Sequence, residues 1–90
     1  MQKAIKKIDY ASHFVRSYKK LSNIERVIAR KKEKIFRVNC FDPILRIHKL
    51  KGKLRDRWSF SLTPRLRVMF VFINDNQVLF LDVGDHKVYK

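Results

Sequence analysis

Two hydrophobic periods divide this chain. Between Lys3 and Tyr10, Ile5 and Ile8 stand among lysines in a stretch that reads as a short first strand, at a sheet edge where lysine discourages pairing with another chain. From Ser12 the period lengthens. Tyr10, Phe14, Tyr18 and Leu21, with Ala11 and Val15 beside them, fall on one side of a helix and leave His13, Arg16, Lys19 and Lys20 toward water. Ser22-Asn23-Ile24-Glu25 has the form of a capping box, in which the serine hydroxyl accepts from the Glu25 amide while the Glu25 carboxylate reaches back. It opens a second helix with Ile24, Val27, Ile28, Ile35 and Phe36 on its buried side. So short a link makes the two helices antiparallel neighbours. Asn39 to Phe41 ends the second helix, and Asp42-Pro43 can cap one further turn through Leu45.

Beyond His48 the period falls to two. Trp58-Ser59-Phe60-Ser61-Leu62 alternates large apolar with small polar residues, as a strand with one covered face does. Arg65 to Ile73 and Val78 to Val83 are nearly continuous apolar runs joined by Asn74-Asp75-Asn76, the pattern of a hairpin. The expected fold is therefore α+β. An N-terminal strand and an antiparallel two-helix hairpin precede a three-strand antiparallel meander, and one small sheet packs on the helices. Residues 1–90 form a single domain, and the first strand lies beside one of the last two. Trp58, Phe60, Val68, Phe70, Phe72, Val78 and Phe80 face the helices, while Ser59, Ser61, Arg67 and the C-terminal tail occupy an opposite face that stays partly open.

Arg67 is the residue out of place in that pattern, because it interrupts the stripe that Met69, Val71 and Ile73 continue. An unpaired guanidinium is costly to bury, so it must either pair with an acid such as Asp82 or face an opening that admits an anion. Charge bears on the choice. The chain has 22 Lys and Arg against 8 Asp and Glu, a formal net charge of +14 over 90 residues. Just before the meander, Arg46, Lys49, Lys51, Lys53, Arg55 and Arg57 surround one acid, Asp56. Such a surface calls for a polyanionic partner. An apolar content of 46% is that of a globular chain. The basic start MQKAIKK is not followed by the apolar segment of a secretion signal, and no apolar run is long enough to span a membrane. With a lone cysteine, Cys40, an internal disulfide is excluded, and the cytoplasm is the expected compartment.

The histidines and the cysteine lack metal-ligand spacing, so neither metal nor cofactor is expected. What remains is His48 before the basic loop, Arg65 and Arg67 on the central strand, His86 after the last strand and Tyr89 beyond it. That set suits RNA cleavage by the 2′-hydroxyl, which needs a base, an acid and cations on the phosphate. Histidine can serve in either proton role near neutral pH. A plain nucleic-acid-binding module accounts for the charge equally well.

FVRSYKKL on the first helix, HKLKGKL before the sheet, WSFSLTPRLRVMF across the meander and VLFLDVGDHKVY at the end together resemble the RelE/ParE superfamily of type II toxin-antitoxin toxins, closest to RelE-type mRNA interferases. The resemblance implies a small sheet carrying a helical hairpin. It also implies an enzyme that cuts mRNA in the ribosomal A site, and a cognate antitoxin that blocks it. On this resemblance Arg67 is the strand arginine that contacts the scissile phosphate. His48 and His86 take the place of histidines used for proton transfer, and Tyr89 that of the C-terminal aromatic near the cleaved nucleotide. Lys49, Lys51, Lys53, Arg55, Arg57, Ser59, Ser61 and Arg65 would line the RNA path. Ser59 and Ser61 stand where some relatives carry lysines, or at the second position a histidine, and Arg65 stands where the histidine-using branch has an aspartate. A gyrase-inhibiting ParE-like activity without nuclease chemistry, or an inactive RNA-binding relative, is the alternative that the same resemblance carries.

Overall fold

In the computed structural model, which describes residues 2–54 and 56–85, strand β1 (Lys7–Tyr10) leads into helices α1 (Ser12–Lys19) and α2 (Asn23–Val38). The chain continues through a 3-10 turn at Pro43–Leu45 to β2 (His48–Lys49), then a second such turn at Gly52–Leu54. Strands β3 (Trp58–Ser61), β4 (Arg67–Asn74) and β5 (Gln77–Gly84) complete the fold. The sheet runs β1-β5-β4-β3-β2. Both expected helices form, and the capping box is complete at Ser22 and Glu25. Asp42 caps the 3-10 turn, its Oδ1 accepting from the Ile44 amide at 3.0 Å. The β4–β5 hairpin turns where the asparagines predict it.

The sheet differs from the expected three-strand meander in having five strands of mixed direction. β1 pairs in parallel with β5, Ile8 opposite Val78, and so occupies an edge beside the last strand. The additional strand is β2, antiparallel to β3, with His48 opposite Ser59 and Lys49 opposite Trp58. Two residues cannot display a period of two, so this strand exists only through its partner.

Phe60, Val68, Phe70, Val78 and Phe80 are buried on the helix-facing side, with Trp58 and Phe72 packed against them, as the alternation predicts. Phe36 of α2 enters this layer fully buried, its ring 4.7 Å from Phe60, 5.1 Å from Phe70 and 5.5 Å from Phe80 between centroids. Ile28, Ala29 and Ile35 complete the α2 contact, whereas Ile24 and Val27 are exposed. The apolar stripe is continuous along the helix, but the core that meets it is not.

The opposite face also departs from expectation. Ser59 is 0% exposed and Ser61 7%, so neither lies open. Both sit on β3, an interior strand, where a short side chain is overshadowed in its row by longer partners: His48 and Met69 flank Ser59, and Arg67 lies opposite Ser61. Arg65 is off the strand as well. It belongs to the β3–β4 turn, where Thr63 Oγ1 accepts from the Arg65 and Leu66 amides at 3.2 and 2.9 Å.

α1 and α2 leave a shallow groove lined by Tyr10, Phe14, Val15, Tyr18, Arg30 and Glu33. There the Tyr10 phenol donates to Glu33 Oε2 at 2.6 Å, and burial, followed by that hydrogen bond and the Glu33 charge, pushes its pKa up to about 12. A folded value above the unfolded one means the contribution to stability is whole below about pH 10 and is lost as pH rises through about 12. In an alkaline absorbance titration one of the tyrosines should ionise late, and Tyr10→Phe should remove that late component alone. An unaltered curve for Tyr10→Phe would assign the late group elsewhere.

Candidate nucleic-acid interface

Arg67 is the first residue of β4, half-buried and in register with Ser61. Its Nη1 donates to Ser61 Oγ at 3.0 Å, which fixes one edge of the guanidinium. Asp82, the acid that could have neutralised it, is committed elsewhere. Its Oδ2 accepts from His13 Nε2 at 3.2 Å and its Oδ1 from the Val83 amide at 2.8 Å. His13, which the helical period leaves to water, thus spans from α1 to β5. Among the described residues no carboxylate lies within ion-pair distance of Arg67.

The guanidinium opens instead on a cleft of about 520 Å³. Arg67, Arg46 and Lys32 contribute the charge, Ser61 and Thr63 the hydroxyls, and Pro43, Ile44, Leu62 and Pro64 the apolar walls. Arg46 reaches it from the residue that ends the 3-10 turn, in a left-handed conformation with φ 51°. For a residue with a Cβ this costs about 1 kcal/mol, and it turns the Arg46 carbonyl toward the next strand, where His48 Nδ1 lies 3.3 Å away. A carbonyl oxygen only accepts, so Nδ1 is the donor of this contact and Nε2 is the ring nitrogen not engaged in it.

His48 is exposed on β2 and shares the sheet face of Ser59, Ser61 and Arg67, two strands and one row away from the arginine. From strand spacing and rise, the Cα atoms of His48 and Arg67 are about 12 Å apart. Lys49, Lys51 and Lys53 are exposed along the same basic stretch. Arg57 is half-buried, with Nε 4.0 Å from Asp56 Oδ1. Arg65 is drawn to the helices, its Nη2 3.3 Å from Glu25 Oε2. The Glu25 carboxyl is held below the usual carboxylate range, first by the Ser22 backbone N–H it accepts and further by the Ser22 hydroxyl and the Arg65 charge. His86, Tyr89 and Arg55 lie outside the described residues.

The sequence reading gave no part to Lys32, which sits in the charge run Arg30 to Lys34, a pattern that usually marks a solvated helix face. Helical spacing carries the missing signal: Lys32 is three residues after Ala29 and four before Phe36, both buried. It is half-buried while Arg30, Lys31 and Lys34 are exposed. No such signal existed for His13 and Asp82, which meet only through the packing of α1 on β5.

No family model matches the sequence, and no curated protein matches it. Solved structures do match. The chain is similar to the YoeB/ParE toxin from Agrobacterium tumefaciens, with a TM-score of 0.75 at 13% identity over 90% of this chain and 99% of that one. It is similar to the toxin in the E. coli DinJ-YafQ toxin-antitoxin complex, at TM-score 0.72 and 14% identity over 98% and 97% of the two chains. A third is the YoeB dimer from Staphylococcus aureus, at 0.72 and 18% over 92% and 99%. The structural neighbours are thus toxins of the superfamily that the sequence resembles. At these identities what is shared is the fold.

Proposed function

We propose that this chain is the toxin component of a type II toxin-antitoxin pair, an endoribonuclease that cuts mRNA on the ribosome without a metal ion. The observation that carries the reading is Arg67, a half-buried cation braced by Ser61 at a cationic cleft while His13 occupies Asp82. Partial burial with no carboxylate in ion-pair distance among the described residues is a costly arrangement for a structural arginine and an apt one for a phosphate ligand.

In the proposed reaction the 2′-oxygen attacks its own phosphorus. The O2′–P bond forms as the P–O5′ bond breaks, which leaves a 2′,3′-cyclic phosphate and a 5′-hydroxyl. Arg67 donates to the non-bridging oxygens, whose charge grows in the transition state. His48 Nε2 takes the 2′ proton, and its ring stays anchored through Nδ1 to the Arg46 carbonyl. We assign the proton for the leaving 5′-oxygen to His86 and the contact with the cleaved nucleotide to Tyr89. Lys49, Lys51 and Lys53 hold the strand near His48, and a charge of +14 favours encounter with ribosomal RNA. A cognate antitoxin is the expected protein partner, and the neighbour solved as a DinJ-YafQ toxin-antitoxin complex supports that expectation. The site of action is the cytoplasm, with no membrane partner.

Primer extension on translated mRNA after brief induction tests the reading. Cuts should fall at fixed codon positions, end in 2′,3′-cyclic phosphate and be absent from an untranslated copy of the same message. His48→Ala should slow single-turnover cutting about 100-fold, as loss of a general base does. Wild-type rates in that variant would remove the base role from His48. DNA damage signalling with translation intact would replace the nuclease by a gyrase inhibitor.

A further inference from the structure

We infer that the cleft between Lys32, Arg46 and Arg67 is a second phosphate subsite, which receives the nucleotide adjoining the one that is cut. This rests on the proposed nuclease reading and deepens it. Three cations reach the cleft from three separate elements, α2, the end of the 3-10 turn and β4, and the described residues that line it include no carboxylate. Like charges gathered in a molecule of net charge +14 repel one another, and a bound phosphodiester relieves that repulsion. Lys32 is half-buried at the cleft while Lys31 and Lys34 are exposed, and Arg46, the left-handed residue that closes the 3-10 turn, comes to the same cleft.

The shape agrees with the charge. A volume of about 520 Å³ lies within the range that accepts a small organic ligand. Ile44, 55% exposed, forms an apolar wall against which a ribose or base can lie. Arg67 belongs to both places. Its Nη1 edge is tied to Ser61, and its remaining donors can bridge the phosphate being cut and the phosphate next to it. Arg46 joins the two places a second time, with its side chain at the cleft and its carbonyl on His48. Filling the subsite would therefore hold the turn that orients the base.

The test is binding of a short single-stranded RNA carrying a 2′-O-methyl group at the cut position, followed by fluorescence anisotropy across a salt series. Each phosphate contact contributes about 0.7 to the slope of log affinity against log salt. Lys32→Ala should lower the magnitude of that slope by about 0.7, and Lys32→Ala with Arg46→Ala by about 1.4, while Lys31→Ala, one residue away but exposed, changes it less. Lys32→Glu should weaken binding at least about tenfold at low salt. Equal slopes for Lys31→Ala and Lys32→Ala, an unchanged slope in the double variant, or no binding by the wild-type chain would overturn the subsite. The two proposals fail separately. Cutting by the wild type with Lys32-independent binding leaves the nuclease and removes the subsite, whereas Lys32-dependent binding without any cutting leaves the subsite and removes the nuclease.

Discussion

Arg67→Ala should lower the single-turnover rate of mRNA cleavage about 10²- to 10³-fold, the loss seen when one preorganised donor to a developing oxyanion is removed. Growth arrest on induction should disappear with it. Arg67→Lys should recover only part of the rate, because an ammonium cannot hold two phosphate oxygens in one plane. The same substitution should hardly affect stability. Arg67 has no acid partner among the described residues, and the relief of repulsion on removing one cation from a cluster of three offsets the loss of its hydrogen bond to Ser61. A urea midpoint displaced by less than about 1 kcal/mol would separate the chemical role from a structural one. Unchanged cutting by Arg67→Ala would sink the phosphate clamp.

Phe36→Ala should cost about 3–5 kcal/mol, the range for emptying an aromatic site in a packed core. The ring is 0% exposed and is shared among Phe60, Phe70 and Phe80, so its loss leaves a cavity bordered by three rings from three different strands. None can close the gap without leaving its own register. Against a total of about 5–15 kcal/mol for a domain, this places the variant near unfolding. The single tryptophan, Trp58, packs edge-on to Phe72 at 5.4 Å and reports the transition by fluorescence in urea. Val38, 77% exposed at the end of the same helix, is the control: Val38→Ala should shift stability by less than about 0.5 kcal/mol. A Phe36→Ala variant as stable as that control would mean that α2 is not what holds the sheet.

Periodicity was enough for the elements and for which sheet face the helices cover. It could not reveal β2, because two residues have no period, nor that Ser59 and Ser61 are covered, because burial of a short side chain depends on the longer ones across the row. For the site, Arg67 was conspicuous as a cation in an apolar run, and the structure adds that its hydrogen bond goes to Ser61 and that Asp82 belongs to His13. The anchoring of the His48 ring was invisible in one dimension, since it rests on a carbonyl that a left-handed Arg46 turns toward Nδ1.

Local order along the chain thus settles the helices, their caps, the hairpin and the excess of positive charge, since each depends on residues a few positions apart and on side-chain chemistry that needs no neighbour. Only the folded state decides which cation keeps company with which acid. Lys32, Arg46 and Arg67 come from distant segments, and their meeting at one cleft is a product of sheet register and helix packing, forces that act across the molecule and leave little mark on any single stretch of residues.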